Sequence, residues 1–129
     1  MKQWIGRWLI VVSLLHSVVA VAVFGGVFSS IIKRGVFNTV GTDPMTAAAV
    51  WFVLFGAMLF TFGLAIAELE KSSIRQLPKS IGWSLLAIGI VGIILMPVSG
   101  FWLVFPPAIA VLMRTELLTG TELLGTEQN

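Results

Sequence analysis

Hydrophobic residues along this chain are gathered into long blocks, and no ten-residue stretch alternates apolar and polar positions. Three blocks contain no Asp, Glu, Lys or Arg at all: Trp8–Ile32, Pro44–Ala67 and Ser80–Met113. About 20 apolar residues in a helix cross a bilayer core of about 30 Å. The first two blocks are therefore one span each, whereas the third, 34 residues long, is too long for one. It carries its own break in Met96-Pro-Val-Ser-Gly100, since proline cannot continue a helix interior and Pro-x-Ser-Gly is turn chemistry. The pattern predicts an all-α protein, an integral membrane antiparallel four-helix bundle with helices over about 6–28, 44–68, 78–96 and 99–116. Strands are excluded because backbone groups in hydrocarbon must be paired within the segment or in a closed barrel.

Small residues recur at a spacing of seven and mark the faces on which helices approach. They are Gly6, Ser13 and Ala20 in the first helix, Ala49, Gly56 and Gly63 in the second, and Gly82 and Gly89 in the third, with Gly92 a turn later. Lipid supplies little hydrophobic drive for helix association, so close packing at such seams must supply much of it. A seven-residue repeat keeps these positions on nearly one face. Asp43 before Pro44 reads as an N-cap and first-turn pair that starts the second helix. Pro106 and Pro107 take two amide donors out of the fourth helix, so the carbonyls of Trp102 and Leu103 lose their usual partners. A kink, a local unwinding or a late helix start at Pro106 follows. The segment Ser29–Asp43 is too polar to span, yet Ile31, Ile32, Val36, Phe37 and Val40 give it an apolar side, which places it as a loop on the outer interface.

Composition agrees with this reading: 57% of residues are hydrophobic and the mean hydropathy is +1.01. The formal charge of +2 comes from residues at helix ends and does not point to nucleic acid. With the N-terminus cytoplasmic, Lys2, Arg7, Lys71, Arg75, Lys79 and Arg114 lie inside and only Lys33 and Arg34 outside, which satisfies the positive-inside rule. Trp4, Trp8 and Trp83 then fall at inner helix ends, and Trp51 and Trp102 towards outer ones. The topology is N-in, C-in. Lys2, Arg7 and Ala20-Val-Ala22 also fit a signal peptide, but the apolar stretch runs on through Phe28, long enough to span, which favours retention. The tail, residues 117–129, contains the second copy of a Thr-Glu-Leu-Leu repeat and reads as a flexible cytoplasmic segment.

Cysteine is absent, which removes disulfides, thiol catalysis and Cys-based metal sites. The chemistry that remains centres on His16, the chain's one histidine, midway along the first helix. Ser13 is one turn away and Ser17 adjacent, and Gly56, Gly89 and the Pro106–Pro107 pair come to similar depth when counted from the helix ends. Two accounts stay open. In one, neutral His16 pins the bundle by donating to a proline-freed carbonyl or accepting from a hydroxyl. In the other, the missing bulk at the glycines is a pocket, and His16, Ser13, Ser17, Gly56, Gly89, Pro106 and Pro107 bind a small apolar ligand or lipid. An ionisable group inside a membrane is a functional candidate by default. No second ionisable group shares its depth, which disfavours proton-driven transport. Haem ligation would need His16 with Met58, or His16 from two chains. No cofactor is expected, and no catalytic set can be assembled from one histidine.

Particular motifs resemble a known family. Gly6-Arg-Trp-Leu9, Phe37-Asn-Thr-Val-Gly-Thr-Asp-Pro44, Ala49-Val-Trp-Phe-Val-Leu-Phe-Gly56 and, most distinctively, Met96-Pro-x-Ser-Gly-Phe-Trp-Leu-x-x-Pro-Pro107 are similar to those of small bacterial four-helix membrane proteins classed as a family of unknown function. The resemblance covers roughly residues 4–114 and implies membrane class and span count; it carries no activity. The expected protein sits in a bacterial inner membrane, contacts the lipid bilayer and binds a small apolar ligand near His16, possible partners being a second copy or another membrane protein. The competing expectation is a solidly packed structural or partner-binding subunit, with an enzyme of lipid or quinone metabolism third. A reporter fused after Asn129 is expected to be active only in the cytoplasm; activity outside the cell would overturn the N-in, C-in topology.

Overall fold

Glycine, proline and charged side chains decide where each helix stops. The computed structural model describes residues 4–72 and 77–113, all four helices of which are α-helical over most of their length, with no strand among the described residues. Helix α1 spans Ile5–Arg34, α2 Pro44–Lys71 and α3 Lys79–Leu95. A 3₁₀ segment, Gly100–Val104, then runs directly into α4, residues 105–113. Lys33 and Arg34 place positive charge at the C-terminal end of α1, where the helix dipole favours it. Gly35, at φ +84°, ends the helix there. Asp43 caps α2 by accepting from the Thr46 amide at 2.9 Å and from the Thr46 hydroxyl. These bonds, side chain first, hold the Asp43 carboxyl below the usual carboxylate range. In the hairpin between α3 and the 3₁₀ segment, the Ser99 hydroxyl donates to Met96 O at 2.6 Å and accepts from the Phe101 amide.

The helices form two antiparallel pairs. In the first, a β-carbon added at Gly6 would stand 2.4 Å from the Ala67 amide nitrogen, one at Gly63 would meet Ile10, and one at Gly56 would meet His16. In the second, Gly82 lies against Leu112, Gly89 against the Phe105 ring and Gly92 against the Phe101 ring. Every residue of the seven-spaced seams is buried: Gly6, Ser13 and Ala20 in α1, Ala49, Gly56 and Gly63 in α2, Gly82, Gly89 and Gly92 in α3. The two pairs meet at one end, where Ile5 and Leu9 of α1, Ile66 of α2 and Val111 of α4 form a buried cluster flanked by Leu77 and by Ile81 of α3. Glu70 strengthens that end. Its carboxylate accepts from the Ile5 and Gly6 amides at 3.3 and 3.0 Å, so the C-terminal turn of α2 satisfies donors that α1 has no cap residue to satisfy.

Helix ends differ from the sequence reading by a residue at each end of α3, by three at the end of α2 and by more at the end of α1. Residues 29–34 continue α1 and do not belong to a surface loop, because isoleucine, lysine and arginine tolerate helix and no breaker precedes Gly35. Of the alternatives for the prolines, the late start is realised: Pro106 and Pro107 sit in the first turn of α4, where no intrahelical donor is required. Residues 114–116 and the tail 117–129 lie outside the described residues. By length and composition α1 and α2 are each able to cross a membrane, whereas α3 and the segment Gly100–Met113 are shorter apolar helices.

A Gly6→Ala substitution should destabilise the protein by about 1–3 kcal/mol, because the new methyl overlaps backbone that cannot move aside. Gly25→Ala, in the same helix but with open space around the site, should be neutral or gain up to about 1 kcal/mol. Reversible unfolding in detergent checks the pair, and equal effects would contradict the packing described.

Candidate functional site

His16 is held by α2. Its Nε2 lies 2.9 Å from Phe52 O, and since a carbonyl only accepts, Nε2 carries the proton and donates. The imidazole stacks on the Phe52 ring at 4.0 Å between centroids and 13° between planes, and leans on Phe55 at 5.5 Å. Phe24 extends the cluster by packing on Phe52 at 5.6 Å. The ring fits because Gly56 has no side chain: a β-carbon there would be 2.9 Å from His16 Cδ2. Ser17 shares that notch, with its Oγ 3.4 Å from the same point.

The two serines turn inward onto their own helix. Buried Ser13 donates to Ile10 O at 2.8 Å, and Ser17 donates to Ser13 O at 3.0 Å. Both are local bonds that satisfy a hydroxyl within α1. Of the seven residues singled out from the sequence, the structure thus brings together His16, Ser13, Ser17 and Gly56. Gly89, Pro106 and Pro107 belong to the other helix pair, where the Phe105 ring fills the space beside Gly89 and Pro107 is buried.

The proline-freed carbonyls do not go to His16. Trp102 O accepts from the Phe105 amide, an i+3 bond that closes the 3₁₀ segment. Leu103 O accepts from the Trp8 indole at 2.9 Å. Trp8, which the sequence reading set at an inner helix end, ties α1 to the 3₁₀ segment. Sequence reasoning missed this role because the partners stand 95 positions apart.

Between the pairs lies an open groove of about 440 Å³, bounded by Phe55 of α2, by Ala87, Ile88, Val91 and Leu95 of α3, and by Phe101. No polar atom contributes to its lining surface. Phe55 is shared: it forms part of the groove wall and touches the His16 ring. A cluster of aromatic residues in the first half of α2, Trp51, Phe52 and Phe55, was the available signal for this wall.

Trp8→Phe keeps an aromatic ring but removes the donor to Leu103 O, and should lower stability by about 0.6–1.7 kcal/mol. In a Pro107→Ala background, where the new amide can serve the same carbonyl, the loss should shrink; a double-mutant cycle that returns no coupling would contradict this. No curated protein and no solved structure matches the chain. Residues 1–117 match a family of unknown function, DUF6463, which covers all four helices. The chain belongs to that family.

Proposed function

We propose that this is an integral protein of a bacterial inner membrane, with both ends cytoplasmic, that holds the hydrocarbon chain of a lipid in the groove between α2 and α3. The exposure of its helices supports the membrane part. Only 11% of the most apolar 18-residue window of α1 is buried, and 22% of that of α2. A core helix of a water-soluble protein is mostly covered, whereas these present Val18, Val21, Trp51 and Met58 outward, surface that water disfavours and lipid tails accept.

The single observation that carries the binding part is the groove itself. Its volume falls within the range of small-molecule sites, about 300–1,000 Å³, and its wholly apolar lining offers nothing to orient a polar ligand. An acyl chain needs no such orientation, and a bilayer supplies acyl chains at high concentration on the open side. A second reading, a subunit that docks another membrane protein, draws on the loop after α1, where the Phe37 side chain is 96% exposed. Crosslinking in native membranes separates the two, since a docking subunit captures one partner whether or not lipid is bound.

Val91→Trp places an indole in the groove and should reduce lipid retained after gentle detergent extraction by about tenfold, equivalent to ~1.4 kcal/mol. Native mass spectrometry reads the retained lipid directly, and the variant's unfolding midpoint checks that it is folded. Equal retention by both proteins would remove the groove from the account.

A further inference from the structure

The hydrogen bond from His16 to α2 uses one edge of the ring, and the other edge is free. Cδ2 points at Gly56 and Nε2 at Phe52 O, so the Cδ2–Nε2 edge faces α2. Nδ1 is bonded to Cγ on the side opposite Cδ2 and turns away from that helix. With the proton on Nε2, the neutral ring carries an acceptor lone pair on Nδ1.

Among the described residues nothing donates to it. The hydroxyls of Ser13 and Ser17 are its closest potential donors along α1, and both give their hydrogens to backbone carbonyls. The hydrogen bond of His16 is the one made by Nε2. Among the described residues no buried side-chain nitrogen or oxygen lacks a partner, so an unbonded Nδ1 is open to the surroundings. His16 lies 11 residues beyond Ile5, about 17 Å along the helix at ~1.5 Å per residue, in the middle of an uncharged run. An acceptor left bare in hydrocarbon carries a desolvation cost that a donor removes.

We propose that Nδ1 of His16 is a recognition point for the hydroxyl group of a long-chain alcohol-type lipid, whose O–H donates to the ring while its hydrocarbon part lies along the apolar helices. This rests on the membrane reading above and names the chemical class that such a site selects. The bond is directional: an ether or ester of the same chain has acceptors only and leaves Nδ1 unsatisfied. Phe52 and Phe55 hold the ring plane, so the lone pair keeps a fixed direction, which makes His16 a selective element beyond its part in helix packing.

Because the chain has one histidine, ¹⁵N-histidine labelling gives one pair of ring signals. The protein is reconstituted in phospholipid nanodiscs and titrated with 1-dodecanol, and separately with its methyl ether. The expected result is a protonated Nε2, an unprotonated Nδ1 whose signal moves saturably with the alcohol, and at least about tenfold weaker response to the ether. A His16→Leu protein that incorporates normally should lose saturable dodecanol binding measured by native mass spectrometry. A signal indifferent to the alcohol, as when water already occupies the site, overturns the proposal, as does an equal response to the ether or a ring protonated on both nitrogens. Failure of the chain to enter nanodiscs at all overturns the membrane reading and this proposal with it, whereas incorporation with an unmoved Nδ1 overturns this proposal alone.

Discussion

At Gly6 the backbones of α1 and α2 run so close that no side chain fits between them, and the remaining arrangement follows from that contact. The approach fixes the register in which Gly63 meets Ile10 and Gly56 meets His16. It also brings the Glu70 carboxylate within reach of the first amides of α1, supplying acceptors to donors that would otherwise stay unpaired in a poorly solvated place. Dispersion between well-fitted surfaces is individually weak, but over two helices of 30 and 28 residues it accumulates. Glycine at these positions is a condition of that fit.

Much of this was legible from residue spacing. Seven-residue repetition of small residues marked all three buried seams because a helix repeats its faces nearly every seven positions, whatever it packs against. Asp43-Pro44 marked the start of α2 because capping is local. The contents of the seams were less legible. Counting from the helix ends put Gly56 and Gly89 at the depth of His16, but Gly56 meets His16 whereas Gly89 faces the Phe105 ring. Polarity does not mark the end of α1, because residues 29–34 are polar enough to leave lipid yet remain helical, and the stop is the backbone of Gly35. The Trp8–Leu103 and Glu70–Gly6 bonds were invisible since each joins segments that only the folded chain brings together.

For the candidate site, the sequence identified the residue but not its partner. His16 donates to backbone on a neighbouring helix, to Phe52 O and not to a carbonyl freed by proline, and this bond is compatible with either account of the residue. Those carbonyls had nearer claimants, one within the 3₁₀ segment and one on a tryptophan whose indole reaches farther than an imidazole. The groove was not legible because its walls come from two helix pairs whose separation depends on how each pair closes on itself. Phe105 fills the gap beside Gly89, so the space left open lies elsewhere, against Phe55.

The cluster of Ile5, Leu9, Ile66 and Val111 fastens the two helix pairs where α1 begins and α2 ends, whereas Phe55, Leu95 and Phe101 border open space farther from that junction. The packing of that cluster, together with the Trp8–Leu103 bond, therefore sets how far apart the pairs stand at the groove, although none of these side chains lines it.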